Sequence, residues 1–272
     1  MRRRLGVIGA PIAHSLSPIM QRAALDALGH HDVSYEAIEV DASALEARLF
    51  ELGREGFVGL NVTLPHKTRV MSFLDSVDDT ARTIGAVNTL VRDGEGWIGT
   101  NTDALGLRRA LEEAAVHLEN RRVMVLGAGG AARASVVALD AAQEVIVVAR
   151  RVEAALDVAR LHRRGRATTF GDEAAFTDVD LVIQATSATL GAHAETFAHS
   201  IPLGRLCRDA VVVDLVYRPR ETALLSRARA DGLSVIDGTS MLVHQGAASL
   251  ERWIGERPPI EIMRDAVLSA LR

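Results

Sequence analysis

The chain has 272 residues, 48% hydrophobic, 24% charged and 4% aromatic, with a formal net charge of −4. These proportions exclude collagen-like, disulfide-scaffold and disordered chains, and the length suits one large domain or two modest ones. No uncharged apolar run approaches the ~18 residues of a membrane span, and no basic block invites nucleic acid as a bulk electrostatic partner.

The single cysteine, Cys207, excludes internal disulfides and fits a reducing compartment. The opening MRRRLGVIGAPIA imitates a signal peptide only loosely, because Gly6, Gly9 and Pro11 interrupt its apolar stretch. A soluble, cytoplasmic protein is expected.

LGVIG (5–9) reads as a buried strand, and Ser17 with Pro18 as the N-cap and first turn of a helix to about Leu28. SYEAIEV (34–40) alternates like a strand, ASALEARLFELG has helical spacing, and FVGLNVT (57–63) is the next strand. Pro65 is expected to open a short helix. AVNTLVRDGEGWIGTNT reads as a hairpin turning at Asp93-Gly94, and Asp103 as the cap of a helix to about Val116.

A second series begins with the strand 122–126, a glycine-rich turn and the helix ARASVVALDAA. EVIVVA (144–149), DLVIQA (180–185) and AVVVDLV (210–216) are further apolar strands with helical stretches between them, and SVIDG closes the series. The last 34 residues read as two helices. Alternating strands and helices predict parallel sheets covered on both faces. The expected architecture is α/β in two domains, 1–103 completed by 239–272, and 104–238.

Gly127-Ala128-Gly129-Gly130-Ala131-Ala132 fits G-x-G-x-x-G/A between a predicted strand and a predicted helix. Gly127 serves the tight turn, Gly129 the close approach of a pyrophosphate, and Ala132 the packing of helix on strand. About 20 residues on, where NAD-binding chains carry an acid, stands Ala149-Arg150-Arg151. Two guanidinium groups suit a 2′-phosphate and favour NADP, against the plainer reading of two solvated arginines.

Of the 31 basic residues, 30 are arginine and one, Lys67, is lysine. Guanidinium stays charged, whereas a lysine amine releases its proton near neutral pH when its surroundings are tuned. Taken alone, that count is better explained by chance survival on a solvated loop. Around Lys67, however, polar fragments gather near predicted strand ends. Ser15-Leu16-Ser17-Pro18 places two hydroxyls beside a helix N-terminus, apt for a carboxylate. Asn61 to Lys67, Gly85 to Thr89, and Asn101-Thr102-Asp103 add amides, hydroxyls and a carboxylate.

HSLSP (14–18), NVTLPHK (61–67), IGAVNT (84–89), NTD (101–103), GAGGAAR (127–133), VVDLVYRPRETALL (212–225) and DGTSMLVHQGA (237–247) together resemble the shikimate dehydrogenase family, in order and over nearly the whole chain. The resemblance implies an NADP-dependent oxidoreductase that reversibly reduces 3-dehydroshikimate to shikimate in aromatic amino-acid biosynthesis. It also implies a Rossmann-like cofactor domain, and C-terminal helices that return to the first domain.

By the same carry-over, Ser15 and Ser17 hold the substrate carboxylate with Tyr217 near it. Thr63, Asn88, Asp103 and Gln245 bind ring hydroxyls, and Lys67 with Asp103 is the catalytic pair. Gly127, Ala128, Gly129, Gly130 and Ala131 cradle the pyrophosphate, and Arg150 takes the 2′-phosphate. Leu215, Gly238, Met241 and, less directly, Asp79 match the nicotinamide end.

Three departures fall on the cofactor side. Ala149-Arg150-Arg151 replaces the family's Asn-Arg-Thr/Ser, so Arg151 stands in for a lost amide. Gln184-Ala185-Thr186-Ser187 is one methylene longer at its first residue than the family's Asn-Ala-Thr-Ser, and Ala188–His199 follows the family loop poorly. The competing readings are a quinate/shikimate paralogue using NAD or NADP, and a non-catalytic nucleotide or metabolite sensor, against which Lys67 and Asp103 argue. The nine histidines show no metal-ligand spacing. A monomer or homodimer acting on a small molecule is expected.

Overall fold

The computed structural model describes residues 3–272. The chain divides into two compact units, one running through Gly106 and completed by Val243–Ala270, the other comprising Leu107–Leu242.

In the first unit, β1 (Arg3–Gly9), α1 (Ser17–Ala27), β2 (Val33–Glu39), α2 (Leu45–Arg54) and β3 (Phe57–Val62) form a parallel core. β4 (Ser76–Val77), α3 (Asp79–Ile84), β5 (Thr89–Asp93) and β6 (Gly96–Thr100) follow, and the sheet order is β2-β1-β3-β5-β6-β4. The hairpin β5–β6 enters antiparallel to β3, so this sheet is mixed rather than parallel throughout.

α2 shows why such segments fold. Leu45, Leu49 and Leu52 recur at helical spacing on one face and are buried against Ile8, Leu60 and Trp97. Each fully buried leucine is worth roughly 1.5–3 kcal/mol.

α4 (Asp103–Glu113) leads into the second unit. There β7 (Arg122–Leu126), α5 (Gly130–Ala138), β8 (Glu144–Val148), α6 (Val152–Ala159), β9 (Gly165–Thr168), β10 (Leu181–Gln184), α7 (Ala194–Ser200), β11 (Val211–Asp214), α8 (Ala223–Ala230) and β12 (Ser234–Ile236) alternate. α9 (Thr239–Ile254) and α10 (Ile260–Ala270) close the chain, and α10 packs on α1.

The second sheet is wholly parallel, in the order β12-β11-β10-β7-β8-β9. Its inner strands are buried on both faces, which is why they read as continuous apolar runs. Counted from β7, the order is the doubly wound 3-2-1-4-5-6, with its switch point between β7 and β10.

Five local expectations are corrected. Ser17 is not the N-cap: Leu16 already has helical backbone (φ −88, ψ −5), and the Ser17 amide donates to Ser15 Oγ at 3.3 Å. Pro65 opens no helix, because His66 N donates to Thr63 O and Val87 N donates to the Lys67 carbonyl, holding residues 64–68 as a turn. A 3-10 helix starts only at Arg69. The hairpin loop is Gly94-Glu95, since Asp93 still pairs with Gly96. Asp103 begins its helix, which ends at Glu113, but its carboxylate turns away to side chains described below. β4 and β9 carry no apolar alternation and escape the sequence pattern.

Candidate active site

Lys67 leaves β3 through the turn just described. The turn is pinned from below by His66, fully buried, whose Nε2 lies 2.6 Å from the Val40 carbonyl. From there Lys67 Nζ donates to Asp103 Oδ2 at 2.6 Å. The amine side chain is 16% exposed and the carboxylate 4%, so solvent reaches the nitrogen far more than its partner.

Asp103 is fixed at its amide by Asn101 Oδ1 (2.9 Å) and at Oδ1 by Asn88 Nδ2 (2.8 Å). Asn88 has one acceptable orientation. Its Oδ1 receives Thr102 N (2.8 Å) and the Thr89 hydroxyl (2.9 Å), which turns Nδ2 towards Asp103, Thr102 Oγ1 (2.9 Å) and Gln245 Oε1 (3.2 Å).

Behind this layer Asn61, Thr89 and Thr102 of the sequence motifs meet two residues that the motifs did not single out, Tyr35 and Ser249. Tyr35 donates its hydroxyl to Asn61 Oδ1 at 2.7 Å, and Asn61 Nδ2 donates to Ser249 Oγ at 2.9 Å. The Ser249, Thr89 and Thr102 hydroxyls share hydrogen bonds of 2.7 and 3.1 Å. These groups are buried, and a buried polar group without a partner costs about 1–3 kcal/mol, so the network fixes the positions of its members.

Ser15 and Ser17 sit at the start of α1, Ser15 half-buried and Ser17 buried. Thr63 is half-buried in the turn that leads to Lys67. Asp79 begins α3 with its side chain 98% exposed and ion-paired to Arg82, outside the Lys67 network. Among the described residues no group of three His, Cys, Asp or Glu is placed to hold a metal ion.

In the second unit the glycine turn follows β7. Gly127 has φ +123, where a Cβ would also lie 2.8 Å from Thr186 Cγ2. Ala132 is a buried residue of α5, whose N-terminus carries no side-chain cap and leaves backbone donors for a ligand. The turn, through Gly127, Ala128 and Gly129, borders a cleft of about 900 Å³ that also meets Arg150, Arg151, Thr186, Phe170 and Phe197.

Gly130 and Ala131 are the first residues of α5. Leu215, Tyr217, Gly238 and Met241 lie past β11 and β12, away from that cleft's lining. A dinucleotide fits the turn: Gly129 has open space where a Cβ would stand, and no carboxylate ends β8 to take ribose hydroxyls.

A doubly wound sheet with a glycine turn at its switch point defines a dinucleotide-binding protein, here joined to a second α/β unit carrying an amine–carboxylate pair. Residues 7–90 match the shikimate dehydrogenase substrate binding domain, 109–227 the shikimate/quinate 5-dehydrogenase domain, and 238–268 the shikimate 5′-dehydrogenase C-terminal domain.

The chain is 44% identical to shikimate dehydrogenase (NADP(+)) of Symbiobacterium thermophilum, over 99% of this chain and 95% of that one. Its fold is similar to the Thermus thermophilus shikimate 5-dehydrogenase in complex with NADP(H) and shikimate (TM-score 0.86, 38% identity, 98% and 99% covered). It is also similar to the Listeria monocytogenes enzyme in complex with shikimate and NAD (TM-score 0.85, 28% identity, 97% and 95% covered). The chain belongs to the shikimate dehydrogenase family.

Proposed function

We propose that this chain catalyses the reversible NADPH-dependent reduction of 3-dehydroshikimate to shikimate, with Lys67 and Asp103 as its proton-handling pair. The carrying observation is the 2.6 Å contact between the chain's one lysine and a nearly buried carboxylate.

A nicotinamide dinucleotide held at the glycine turn would supply the hydride. As the ketone carbon accepts it, negative charge grows on the oxygen, and a donor within roughly 3 Å must deliver a proton. Lys67 Nζ gives that proton and becomes a neutral amine. In the reverse direction the same nitrogen takes the hydroxyl proton. Asp103 aims the amine through Oδ2, and Asn88 holds Oδ1, so the carboxylate cannot rotate away. Arginine cannot cycle in this way.

Ser15 and Ser17 bind the substrate carboxylate beside α1, with Tyr217 assisting. Thr63, Asn88, Asp103 and Gln245 receive the ring hydroxyls. Gly127 to Ala131 hold the pyrophosphate, Arg150 with Arg151 the 2′-phosphate, and Leu215, Gly238 and Met241 the nicotinamide end. No helix among the described residues is long and apolar enough to cross a membrane.

A broader shikimate/quinate specificity with NAD draws support from the shikimate/quinate description of residues 109–227 and from the NAD complex of the Listeria relative. Steady-state assays crossing shikimate and quinate with NADP and NAD separate the two. The first reading expects shikimate with NADP to dominate kcat/KM, and a preference for quinate or NAD would overturn it.

A further inference from the structure

Two buried polar side chains end adjacent strands of the second unit and take no part in the proton chemistry above. Gln184 closes β10 and Asp214 closes β11, and neither is exposed to solvent. A carboxylate in such a place is costly unless donors surround it.

Asp214 Oδ2 receives the Thr222 hydroxyl at 2.8 Å, while Oδ1 receives Val216 N at 3.0 Å and Gln184 Nε2 at 3.2 Å. Burial still pushes the Asp214 carboxyl above its ordinary range, against these hydrogen bonds. Gln184 Oε1 accepts Thr186 N at 2.6 Å, and its Nε2 also reaches Thr186 O (3.0 Å) and Thr189 Oγ1 (2.9 Å).

Each loop leaving the sheet is therefore stitched to the strand it leaves: 185–189 by Gln184, and 215–222 by Asp214. The Gln184–Asp214 contact ties the two stitches together. A third segment joins them, because Gly238 N donates to Val216 O at 3.2 Å and a Cβ at Gly238 would lie 2.4 Å from Leu215 O.

The strand order says what these loops face. The glycine turn follows β7, and the arginine pair follows β8 on one side of it, while β10 and β11 lie on the other. A dinucleotide whose pyrophosphate sits at the turn, with its 2′-phosphorylated ribose over β8, must extend its second nucleoside over the exits of β10 and β11. That nucleoside carries the reactive ring.

We propose that Gln184 and Asp214 are a positioning pair that locks the 185–189 and 215–217 loops into the arrangement that seats the nicotinamide ring. They act through the loops, not by touching the ring. The proposal rests on the dehydrogenase reading above, and it concerns the rate of hydride transfer rather than affinity for the adenosine half.

The test uses the full chain with Gln184→Met, which keeps the length of the side chain but removes the amide that makes these contacts. Asp214→Asn serves as the harsher variant and Thr222→Ser as the conservative control that keeps the hydroxyl on Asp214. Three quantities are read: kcat with NADPH, the isotope effect on kcat with 4-deuterated NADPH, and the Kd for 2′,5′-ADP by calorimetry.

Expected for Gln184→Met and Asp214→Asn is a fall in kcat of roughly ten- to a hundredfold, the scale of a reactant displaced by a fraction of an ångström to one ångström. The isotope effect rises, 2′,5′-ADP binding stays within about twofold, and Thr222→Ser behaves as the parent. Unchanged kcat and isotope effect overturn the proposal, and so does a loss of 2′,5′-ADP affinity in step with kcat, which marks a merely structural role. Should Asp214→Asn fail to fold, Gln184→Met decides. A parent protein without shikimate-dependent NADPH chemistry removes the functional reading and this proposal together, whereas an active parent with indifferent variants removes the proposal alone.

Discussion

Asn88 grips the Asp103 carboxylate by the oxygen that Lys67 leaves free, at 2.8 Å against 2.6 Å for the amine. The two contacts fix the plane of the carboxylate and so the line along which the ammonium points. Lys67→Arg keeps the positive charge but loses the removable proton. Turnover is expected to fall by ~10²-fold or more, the scale of a lost acid–base group, while the KM for shikimate changes little. Steady-state kinetics check this, and near-parental kcat would take Lys67 out of the chemistry.

Arg150 and Arg151 border the cleft at the glycine turn, and no carboxylate ends the neighbouring strand β8. Arg150→Ala is expected to raise the KM for NADP roughly ten- to a hundredfold, the scale of a lost charge-assisted hydrogen bond, and to leave the KM for NAD almost untouched. An equal loss for both cofactors contradicts the 2′-phosphate assignment.

Ser249 touches Asn61, Thr89 and Thr102 but not the Lys67 amine or its carboxylate. Ser249→Ala leaves buried donors and acceptors short of a partner and is expected to cost about 1–3 kcal/mol. Urea unfolding measures the loss, and kcat at a temperature well below the transition should remain within a few-fold of the parent. A stability equal to the parent's would show that the hydroxyl cluster closes around the gap.

His162 is buried beyond α6, its Nδ1 accepting the Arg164 amide at 3.1 Å, and burial holds its imidazole below the ordinary histidine range. With the folded-state value depressed, the unfolded chain binds more protons at mildly acidic pH. This contribution to stability is therefore complete above about pH 6.5, the unperturbed value, and declines as pH falls towards the folded-state value. His162→Asn retains an acceptor for the amide and loses the titration. Its Tm is expected to fall less steeply than the parent's between neutrality and about one unit below the ordinary histidine value. Parallel curves from thermal scans would exclude His162 as a source of that dependence.

Much of the second unit was legible because strands buried on both faces announce themselves as apolar runs, and because the glycine turn has one common use. β9 was not legible: its GRAT segment lies at the sheet edge, half-exposed, with no alternation to detect. At the candidate site, Lys67, Asn88 and Asp103 stood out through residue type and motif. Tyr35 and Ser249 did not, since Ser249 meets Asn61 across 188 residues of chain and nothing local marks either as a partner. Gln184 was visible only as a longer side chain in place of a shorter one. Its four hydrogen bonds, three to the 185–189 loop and one to Asp214, needed the folded backbone.

The near-total replacement of lysine by arginine has a practical side. With one ε-ammonium in the sequence, ¹⁵N-lysine labelling would yield a single side-chain resonance, so protonation at that nitrogen can be followed spectroscopically without assignment, ligand by ligand and pH by pH.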